Sequence, residues 1–425
     1  MAHFERLELN NWRQFEAIDI RFGTQTTVVT GANGCGKTSI LTVLGHHFGW
    51  NLQFVSTPYV SRRTRRLLYS EFRKRDALKM ERESIASIPE DVDESATPDQ
   101  GPQSVGAITY SDGRSCDLRT PSKIATNPQY HLQYSAAQSI EGLYIPSHRP
   151  AASYHQVSTI PTNPKTTAQQ YQEYQQLLLQ SFSSARSNNP GAITKQSLIA
   201  LAVFGYGNDA VTENTEYREL FEEFQDILRK ILPQKLGFDR LEIRMPDVVL
   251  VTRTGEFALD AMSGGVNALF TIAWQILMFG RGKAECTVLI DEPENHLHPS
   301  MQRALMPSLA AAFPKYRFIV ATHSPFIVTS DPTAGVYALT HGESGRIASS
   351  LLPSSSLAAS PDKVLREVLE VPSVIPIWAE NALAMALSDF AERGSDRQAM
   401  DDLFAKLREI GLTASVADLP PFEGK

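Results

Sequence analysis

Residues 31–38 read Gly-Ala-Asn-Gly-Cys-Gly-Lys-Thr, a Gly-x-x-x-x-Gly-Lys-Thr spacing set between an apolar run and a helical pattern. Glycines allow a turn sharp enough for several backbone N–H groups to face one phosphate, and a helix starting there adds its positive end. Lys37 would reach the β- and γ-phosphates of a nucleotide, and the Thr38 hydroxyl would enter the shell of a Mg2+ ion. Asn33, Gly34, Cys35, Gly36 and Ser39 complete the candidate nucleotide ligands of this loop. In the second half Asp291 and Glu292 follow the run Thr287-Val288-Leu289-Ile290. Asp291 is the candidate metal ligand beside Thr38, and Glu292 can orient or polarise a water against the γ-phosphate. His323 closes another apolar run, Ile319-Val320-Ala321, and a neutral imidazole can both donate and accept there. Ser263-Gly264-Gly265 is a further set of backbone donors at a helix start, and by itself reads equally as a cap and a turn.

Strands must end at these groups. Residues 26–29 are β-branched and predict a buried strand entering the glycine loop; Ile40, Leu41 and Leu44 mark the helix after it, which runs to about His46 or His47. Upstream, Phe4, Leu7 and Leu9 predict one strand and the alternating Ile18, Ile20 and Phe22 a second, with a turn over 11–15 between them. Arg13 in that turn is either solvated or directed to the nucleotide. Residues 107–110 and 115–118 about Asp112-Gly113 predict a hairpin. Residues 140–150 predict a strand ending in a polar corner, where His148 and Arg149 either face the nucleotide edge or brace the Pro-rich loop that follows. Residues 166–179 and 217–232 predict helices separated by Asn- and Gly-bearing stretches near 188–191 and 205–208, with no sustained heptad pattern. Residues 241–245 and 248–252 predict strands, and 256–259 leads into 260–267 with Ser263, followed by an apolar helix through Leu269, Ile272, Ala273, Ile276 and Leu277.

The chain has 425 residues and a formal net charge of −7, which argues against a protein that coats nucleic acid over its whole surface. A local basic patch stays open. From Arg62 to Arg82, the cations Arg62, Arg63, Arg65, Arg66, Arg73, Lys74, Arg75, Lys79 and Arg82 interleave with Leu67, Leu68, Tyr69, Phe72 and Met80. As a helix this stretch has a basic face that suits the phosphates of DNA or RNA, an acidic partner, or plain solvation. Residues 89–103 hold five acids and three prolines and predict a disordered or mobile loop. Cys35, Cys116 and Cys286 have no paired spacing, so a reducing, cytoplasmic compartment is expected. The most apolar run, 266–279, is too short to span a bilayer, and no membrane insertion is expected. Helices are predicted over 361–371, 377–393 and 395–410, the last capped by Ser395 or Asp396 and stopped by Gly411. Leu403, Phe404, Leu407 and Ile410 would pack on the rest of the chain or form an oligomer or partner surface.

Taken in order, these motifs resemble those of the ABC-type ATPases of the RecF, SMC and OLD group, over roughly residues 1–330. Gly31 to Thr38 resembles a Walker A motif, Ser263 to Gly265 a shortened signature, 287–292 Walker B, 294–299 the D-loop region, His323 the H-loop histidine, and Arg13 an Asn-Phe-Arg element near the N-terminus. The resemblance implies an α/β fold: a two-lobe ABC ATPase head with a P-loop mixed sheet, an antiparallel β subdomain and helical insertions, plus a helical C-terminal tail. The implied divisions are 1–150, lobe I with the P-loop; 151–235, a helical insertion without a long coiled coil; 236–335, lobe II with signature, Walker B and H-loop; and 336–425, mostly helical. It also implies a head-to-tail dimer, in which ATP and Mg2+ held by Lys37, Thr38 and Asp291 of one copy meet Ser263 and Gly264 of the other. Glu292 would then act on the water and His323 would sense the γ-phosphate. Met262 and Val266 stand where Leu and Gln are usual, and His298 stands at the D-loop Asp position, so slow or strongly regulated hydrolysis is expected. No Q-loop glutamine is placed; His148 and Arg149 lie where one would fall.

The insertion between lobes is too short for an SMC arm, and no Asp-x-Asp follows His323 to build a Toprim nuclease. What is left resembles the ATPase half of two-gene phage-defence modules of PARIS and Septu type, in which the ATPase controls a separate toxic nuclease. The implied role is an ATP-dependent oligomeric sensor or scaffold for such an effector. The alternative is a RecF-like DNA clamp in repair, with the basic face from Arg62 to Arg82 tracking phosphates.

Overall fold

The computed structural model describes residues 2–60, 65, 67–70, 72, 102–121, 128–149, 153–163, 165–183, 190–353, 360–371, 373, 375–393 and 397–409. The chain divides into two units, Met1–Ala359 and Ser360–Lys425. The first unit begins β1 (Phe4–Asn10), β2 (Phe15–Arg21), β3 (Thr26–Gly31), α1 (Lys37–Gly45), β4 (Phe54–Val55), β5 (Thr57–Val60) and β6 (Leu67–Ser70). It continues β7 (Gln103–Tyr110), β8 (Ser115–Thr120), β9 (Gln129–Tyr130), β10 (Gln133–Ser135), β11 (Gly142–Ile145), α2 (Thr167–Ser183), α3 (Pro190–Tyr206) and α4 (Thr215–Ile231). Then come β12 (Phe238–Arg244), β13 (Asp247–Thr252), β14 (Gly255–Ala258), α5 (Gly264–Gly280), β15 (Cys286–Asp291), α6 (Pro299–Ala312), β16 (Tyr316–Thr322), α7 (Pro325–Val328), β17 (Gly335–His341) and β18 (Ile347–Leu351).

Eleven of these strands form one mixed sheet in the order β10-β8-β7-β1-β2-β18-β17-β3-β16-β15-β11. The run β17-β3-β16-β15-β11 is parallel. Strands β3 and β15 are buried at every residue, as the continuous apolar and β-branched runs in a sheet covered on both faces require. Thr322 pairs with Thr30, Asp291 with Ala321 and Ile145 with Ile290, so the residues after β3, β16, β15 and β11 emerge together at one sheet edge. From β10 to β2 the sheet is antiparallel, with β1 between β2 and β7 and with β7 and β8 forming the expected hairpin; β2 then joins β18 in parallel, and β18 pairs antiparallel with β17. At its turn Asp112 accepts from the Arg114 N–H. β2 alternates Phe15, Ile18 and Ile20 inward against exposed partners. A separate three-stranded antiparallel sheet, β12-β13-β14, precedes α5. The mixed sheet and antiparallel subdomain expected of a two-lobe head are thus present.

Helix α4 buries Tyr217, Leu220, Phe221, Phe224, Ile227, Leu228 and Ile231 along one stripe and is capped by Asn214, whose Oδ1 accepts from the Tyr217 N–H. Phe224 meets Phe270 and Trp274 of α5 edge-on, with ring centroids 5.0 Å apart in each pair.

Two expectations need correcting, and one element was missed. The helix expected through Leu67, Leu68 and Tyr69 is a strand: β6 pairs antiparallel with β5 and buries Leu68 and Ser70 at period two. Of the basic face, Arg65 is described; Arg62, Arg63, Arg66, Arg73, Lys74, Arg75, Lys79 and Arg82 lie outside the described residues, as do 89–101 of the expected acidic loop. Between the Asn- and Gly-bearing stretches near 188–191 and 205–208, residues for which the sequence predicts no element fold as α3, which is apolar at every position from Leu198 to Phe204 and so shows no amphipathic period. The region from 336, expected to be mostly helical, opens with β17 and β18, and β17 lies directly against β3. The short buried run Val336 to Leu339 is of a length that periodicity cannot assign.

The second unit holds α8 (Pro361–Glu367), α9 (Ile377–Arg393) and α10 (Arg397–Glu409). Ser360 caps α8, and Lys406 of α10 pairs with Asp389 of α9 at 2.6 Å. Leu407 is buried and Phe404 exposed, whereas Ser395, Asp396, Ile410 and Gly411 lie outside the described residues. The three cysteines are buried and free. Among the described residues no helix is long and apolar enough to cross a membrane.

Candidate nucleotide site

The loop after β3 is shaped by its glycines. Gly36 sits at φ +100°, and a Cβ there would fall 2.4 Å from Gln14 Nε2 and 2.5 Å from Phe15 Cζ. Glycine is required both for the turn and for the close approach of the β1–β2 connection that carries Arg13. Helix α1 starts at Lys37 with no acidic residue in its first turn, leaving its positive end uncompensated by side chains. Lys37 is 5% exposed, and its Nζ donates to the carbonyl oxygens of Gly31 (2.8 Å) and Ala32 (2.9 Å). Asn33, Gly34 and Thr38 are exposed, Ser39 is half-buried, and Cys35 is buried, which pushes its thiol up.

Across from the loop, the Thr38 hydroxyl donates to Asp291 Oδ2 at 2.9 Å. Asp291 Oδ1 is buried and has no hydrogen-bond partner. Burial pushes this carboxyl up to about 6 against the Thr38 hydrogen bond, with the charges of Glu292 and Glu294 adding to the rise. A buried carboxylate with one unpartnered oxygen beside a hydroxyl is a donor set for a hard divalent cation, so these residues fit Mg2+.

Glu292 adopts φ +46°, a left-handed conformation that costs a residue with a Cβ about 1–2 kcal/mol. Its N–H donates to Ala321 O (2.8 Å), its Oε1 lies 2.6 Å from His323 Nε2, and its Oε2 accepts from Asn295 Nδ2 (3.2 Å). Burial works to raise this carboxyl, yet the hydrogen bonds from His323 and Asn295 hold it below its ordinary value. Glu294 Oε1 accepts from both the Thr322 hydroxyl (2.7 Å) and the His323 N–H (2.8 Å), which fixes the backbone from which the imidazole projects. Asn295 Nδ2 also donates to Ser147 O (3.2 Å), and Arg149 Nη2 to Glu292 O (3.0 Å). Arg149 therefore turns toward the carboxylate edge, whereas His148 is exposed.

Ser263 caps α5, with Gly264 and Gly265 in the first turn. Ser263 and Gly264 are exposed, and a Cβ on Gly265 would sit 3.0 Å from His296 O, so this stretch abuts residues 294–299 of the same chain. Three residues before Ser263, Asp260 accepts from the fully buried Lys195 (2.6 Å). His298 caps α6 by accepting from the Ser300 N–H (3.3 Å), a backbone task that gives the departure at this position a structural reason. The Arg13 guanidinium lies 5.5 Å from the Phe54 ring and 5.9 Å from that of Trp12, a cation–π arrangement at the edge of the turn packed on Gly36.

Residues 204–329 match the family described as AAA domain, putative AbiEii toxin, Type IV TA system, and residues 6–53 match a family described as AAA domain. The first match spans Ser263, Asp291, Glu292 and His323; the second spans the glycine loop, Lys37 and Thr38. Both matches are to AAA-domain families, so over these two stretches the chain is similar to AAA-domain ATPases. Among curated relatives, the Retron Vc95 probable ATPase of Vibrio cholerae serotype O1 biovar El Tor is 46% identical over 130 residues, 28% of this chain and 25% of that protein. The Septu protein PtuA of Bacillus mycoides (strain KBAB4) is 38% identical over 72 residues, 16% of this chain and 10% of that protein. The Retron Ec83 probable ATPase of Escherichia coli is 30% identical over 129 residues, 30% of this chain and 22% of that protein. The matched stretches thus span a quarter or less of these relatives' lengths. Among solved structures, an SMC head domain from Thermotoga maritima aligns at TM-score 0.39 and 13% identity, covering 83% of this chain and 99% of that one.

At this sheet edge the structure brings together Lys37, Thr38, Asp291, Glu292 and His323. Sequence reasoning did not single out Glu294 and Asn295, which hold His323 and Glu292 in place. Both lie in the 294–299 stretch, and their polar character directly after the Walker B strand was the available signal.

Proposed function

We propose that this domain binds ATP with Mg2+ and hydrolyses it slowly under control. It would act as an ATP-dependent oligomeric sensor or scaffold that restrains or releases a separate effector nuclease in anti-phage defence. The observation that carries the catalytic part is the pairing of Thr38 with Asp291 beside that of Glu292 with His323 at one sheet edge. The Septu and retron names of the relatives support the defence setting.

Lys37 and the backbone N–H groups of residues 33–39 would bind the phosphates, and Thr38 and Asp291 would hold Mg2+. When bound, that ion supplies positive charge against the phosphate oxygens. Glu292, kept ionised by His323 and Asn295, has lone pairs left to accept a proton from the attacking water. His323 Nε2 holds that carboxylate in place and would sense the γ-phosphate. Ser263, Gly264 and Gly265, two of them exposed at a helix start, suit a head-to-tail contact that completes a second copy's site. Arg13, at the edge of the loop, would lie near the nucleotide.

The test is native mass and turnover for the chain expressed with its neighbouring gene, in wild type, Lys37→Ala and Glu292→Gln, with ATP and Mg2+. Lys37→Ala should lose ATP binding. Glu292→Gln should bind ATP, turn over at least about 100-fold more slowly and accumulate the assembled form with its partner. Wild-type-like turnover by Glu292→Gln would remove the role given to that carboxylate, and an ATPase dimer that shifts in mass only with DNA would replace the effector reading.

A further inference from the structure

The corner after β11 carries a cation that the chemistry above leaves without a task. Arg149 lies four residues past the end of β11, whose partner β15 ends at Asp291. Its Nη2 donates to the main-chain oxygens of Glu292 (3.0 Å) and Asp291 (3.4 Å), while Nε and Nη1 are buried without a hydrogen-bond partner. A guanidinium placed this way is held by its two carbonyl contacts and by the surrounding carboxylates of Glu294, Asp291 and Glu292, whose attraction offsets part of the cost of burial. The peptide groups it meets belong to the strained residue: Glu292 stands at φ +46°, with its N–H on Ala321 O and its C=O on Arg149. Asn295 fastens the same corner from the other side, reaching both Ser147 O and Glu292 Oε2.

We propose, on the reading that this site hydrolyses ATP, that Arg149 is a positioning residue for Glu292. By donating to the carbonyls of Asp291 and Glu292 it holds the left-handed turn that aims the Glu292 carboxylate at His323 and the attacking water. Such a residue acts on the chemical step and not on the phosphates, which belong to the loop around Lys37. Its planar, permanently charged fork matters, because a shorter neutral donor cannot reach both carbonyls or balance three nearby acids.

The experiment compares Arg149→Lys and Arg149→Gln with wild type for kcat, KM and ATP affinity, alone and on a Glu292→Gln background, with Lys37→Ala as the non-binding control. Arg149→Gln should lower kcat about 10- to 100-fold and leave the Kd for ATP within about threefold. Arg149→Lys should recover part of the loss. On the Glu292→Gln background Arg149→Gln should change kcat little, because the group it positions is already gone. Unchanged kcat, equal losses in kcat and ATP affinity, or full multiplication of the two mutations' effects would overturn the proposal. If Arg149→Gln does not fold, Arg149→Lys decides by the same split between kcat and Kd. A wild type that binds ATP through Lys37 but never turns it over would instead overturn the hydrolase reading, and the role of Arg149 with it.

Discussion

Lys195→Met should cost the first unit much of its stability, for a reason that lies in one three-way contact. The Lys195 side chain is 0% exposed, and its Nζ donates to Asp247 Oδ1 (2.5 Å), Asp260 Oδ2 (2.6 Å) and His155 O (2.8 Å). Methionine keeps most of the stem's volume and removes the charge, so two carboxylates and a carbonyl are left facing an apolar sulfur. Breaking a buried ion pair by removing one partner costs about 3–5 kcal/mol. Asp260 is 10% exposed and meets that condition, whereas Asp247 is 27% exposed and water solvates part of its loss, which places the expectation near the lower bound. The assay is urea unfolding of Lys195→Met beside Lys195→Met/Asp260→Asn. Neutralising the more buried acid should return part of the loss, so the double variant should be less destabilised than the sum of the two single changes. A cost under about 1 kcal/mol, or strict additivity, would refute the view that this lysine is a buried counter-ion. Because Asp260 lies three residues before Ser263, the variant should also weaken ATP-driven assembly if that serine meets a second copy.

Two further outcomes follow from the geometry. Gly36→Ala should lose nucleotide affinity and destabilise the fold by about 2 kcal/mol. The reason is that φ +100° and a Cβ 2.5 Å from the buried Phe15 ring cannot both be accommodated; wild-type ATP binding in a calorimetric titration would contradict this. His47 gives a pH signature. Its Nε2 lies 2.8 Å from the Tyr110 hydroxyl, and burial, with a smaller push from His46, holds its pKa down to about 4. The unfolded chain therefore binds the extra proton between about pH 6.5 and 4. Stability should be unaffected by this group above that window and fall as pH drops through it, by up to about 3 kcal/mol. His47→Gln should show a correspondingly shallower decline in denaturation measured from pH 7.5 to 4, and an unchanged slope would show that the imidazole is not held neutral.

How far the fold could be read from sequence depended on whether an element announced its own partners. The strands entering the site could be read because both faces are covered, which demands unbroken runs such as Val288-Leu289-Ile290 and Ile319-Val320-Ala321. Helix α4 could be read because its apolar stripe is flanked by charge and opened by Asn214. Helix α3 could not, since a segment apolar on all sides has no period to detect. Strands β6 and β17 failed for another reason. Leu67-Leu68-Tyr69 and Val336 to Leu339 are equally short runs in either conformation, and what decides them is a neighbour: β5 for one, and β3, some three hundred residues upstream, for the other.

The candidate site divides along the same physical line. Groups proposed to face phosphate or metal come in contiguous motifs, because backbone amides, Lys37 and Thr38 would have to converge on one small anion. Groups that aim other groups are set by whichever carbonyl or carboxylate the fold brings near, and nothing in Asn295, Glu294, Arg149 or Lys195 names that partner in advance. The strand end Asp291-Glu292-Pro293-Glu294 makes the point most sharply. Three acids within four residues repel one another, and the turn is tenable because each takes a different donor: Asp291 the Thr38 hydroxyl, Glu292 His323 and Asn295, Glu294 Thr322 and the His323 N–H. Arg149 then sits on the carbonyls behind two of them. Burial raises Asp291 despite the Thr38 hydrogen bond, while the hydrogen bonds from His323 and Asn295 lower Glu292 against its burial, so these adjacent carboxylates shift in opposite directions, which suits the metal-ligand and ionised-base roles proposed for them.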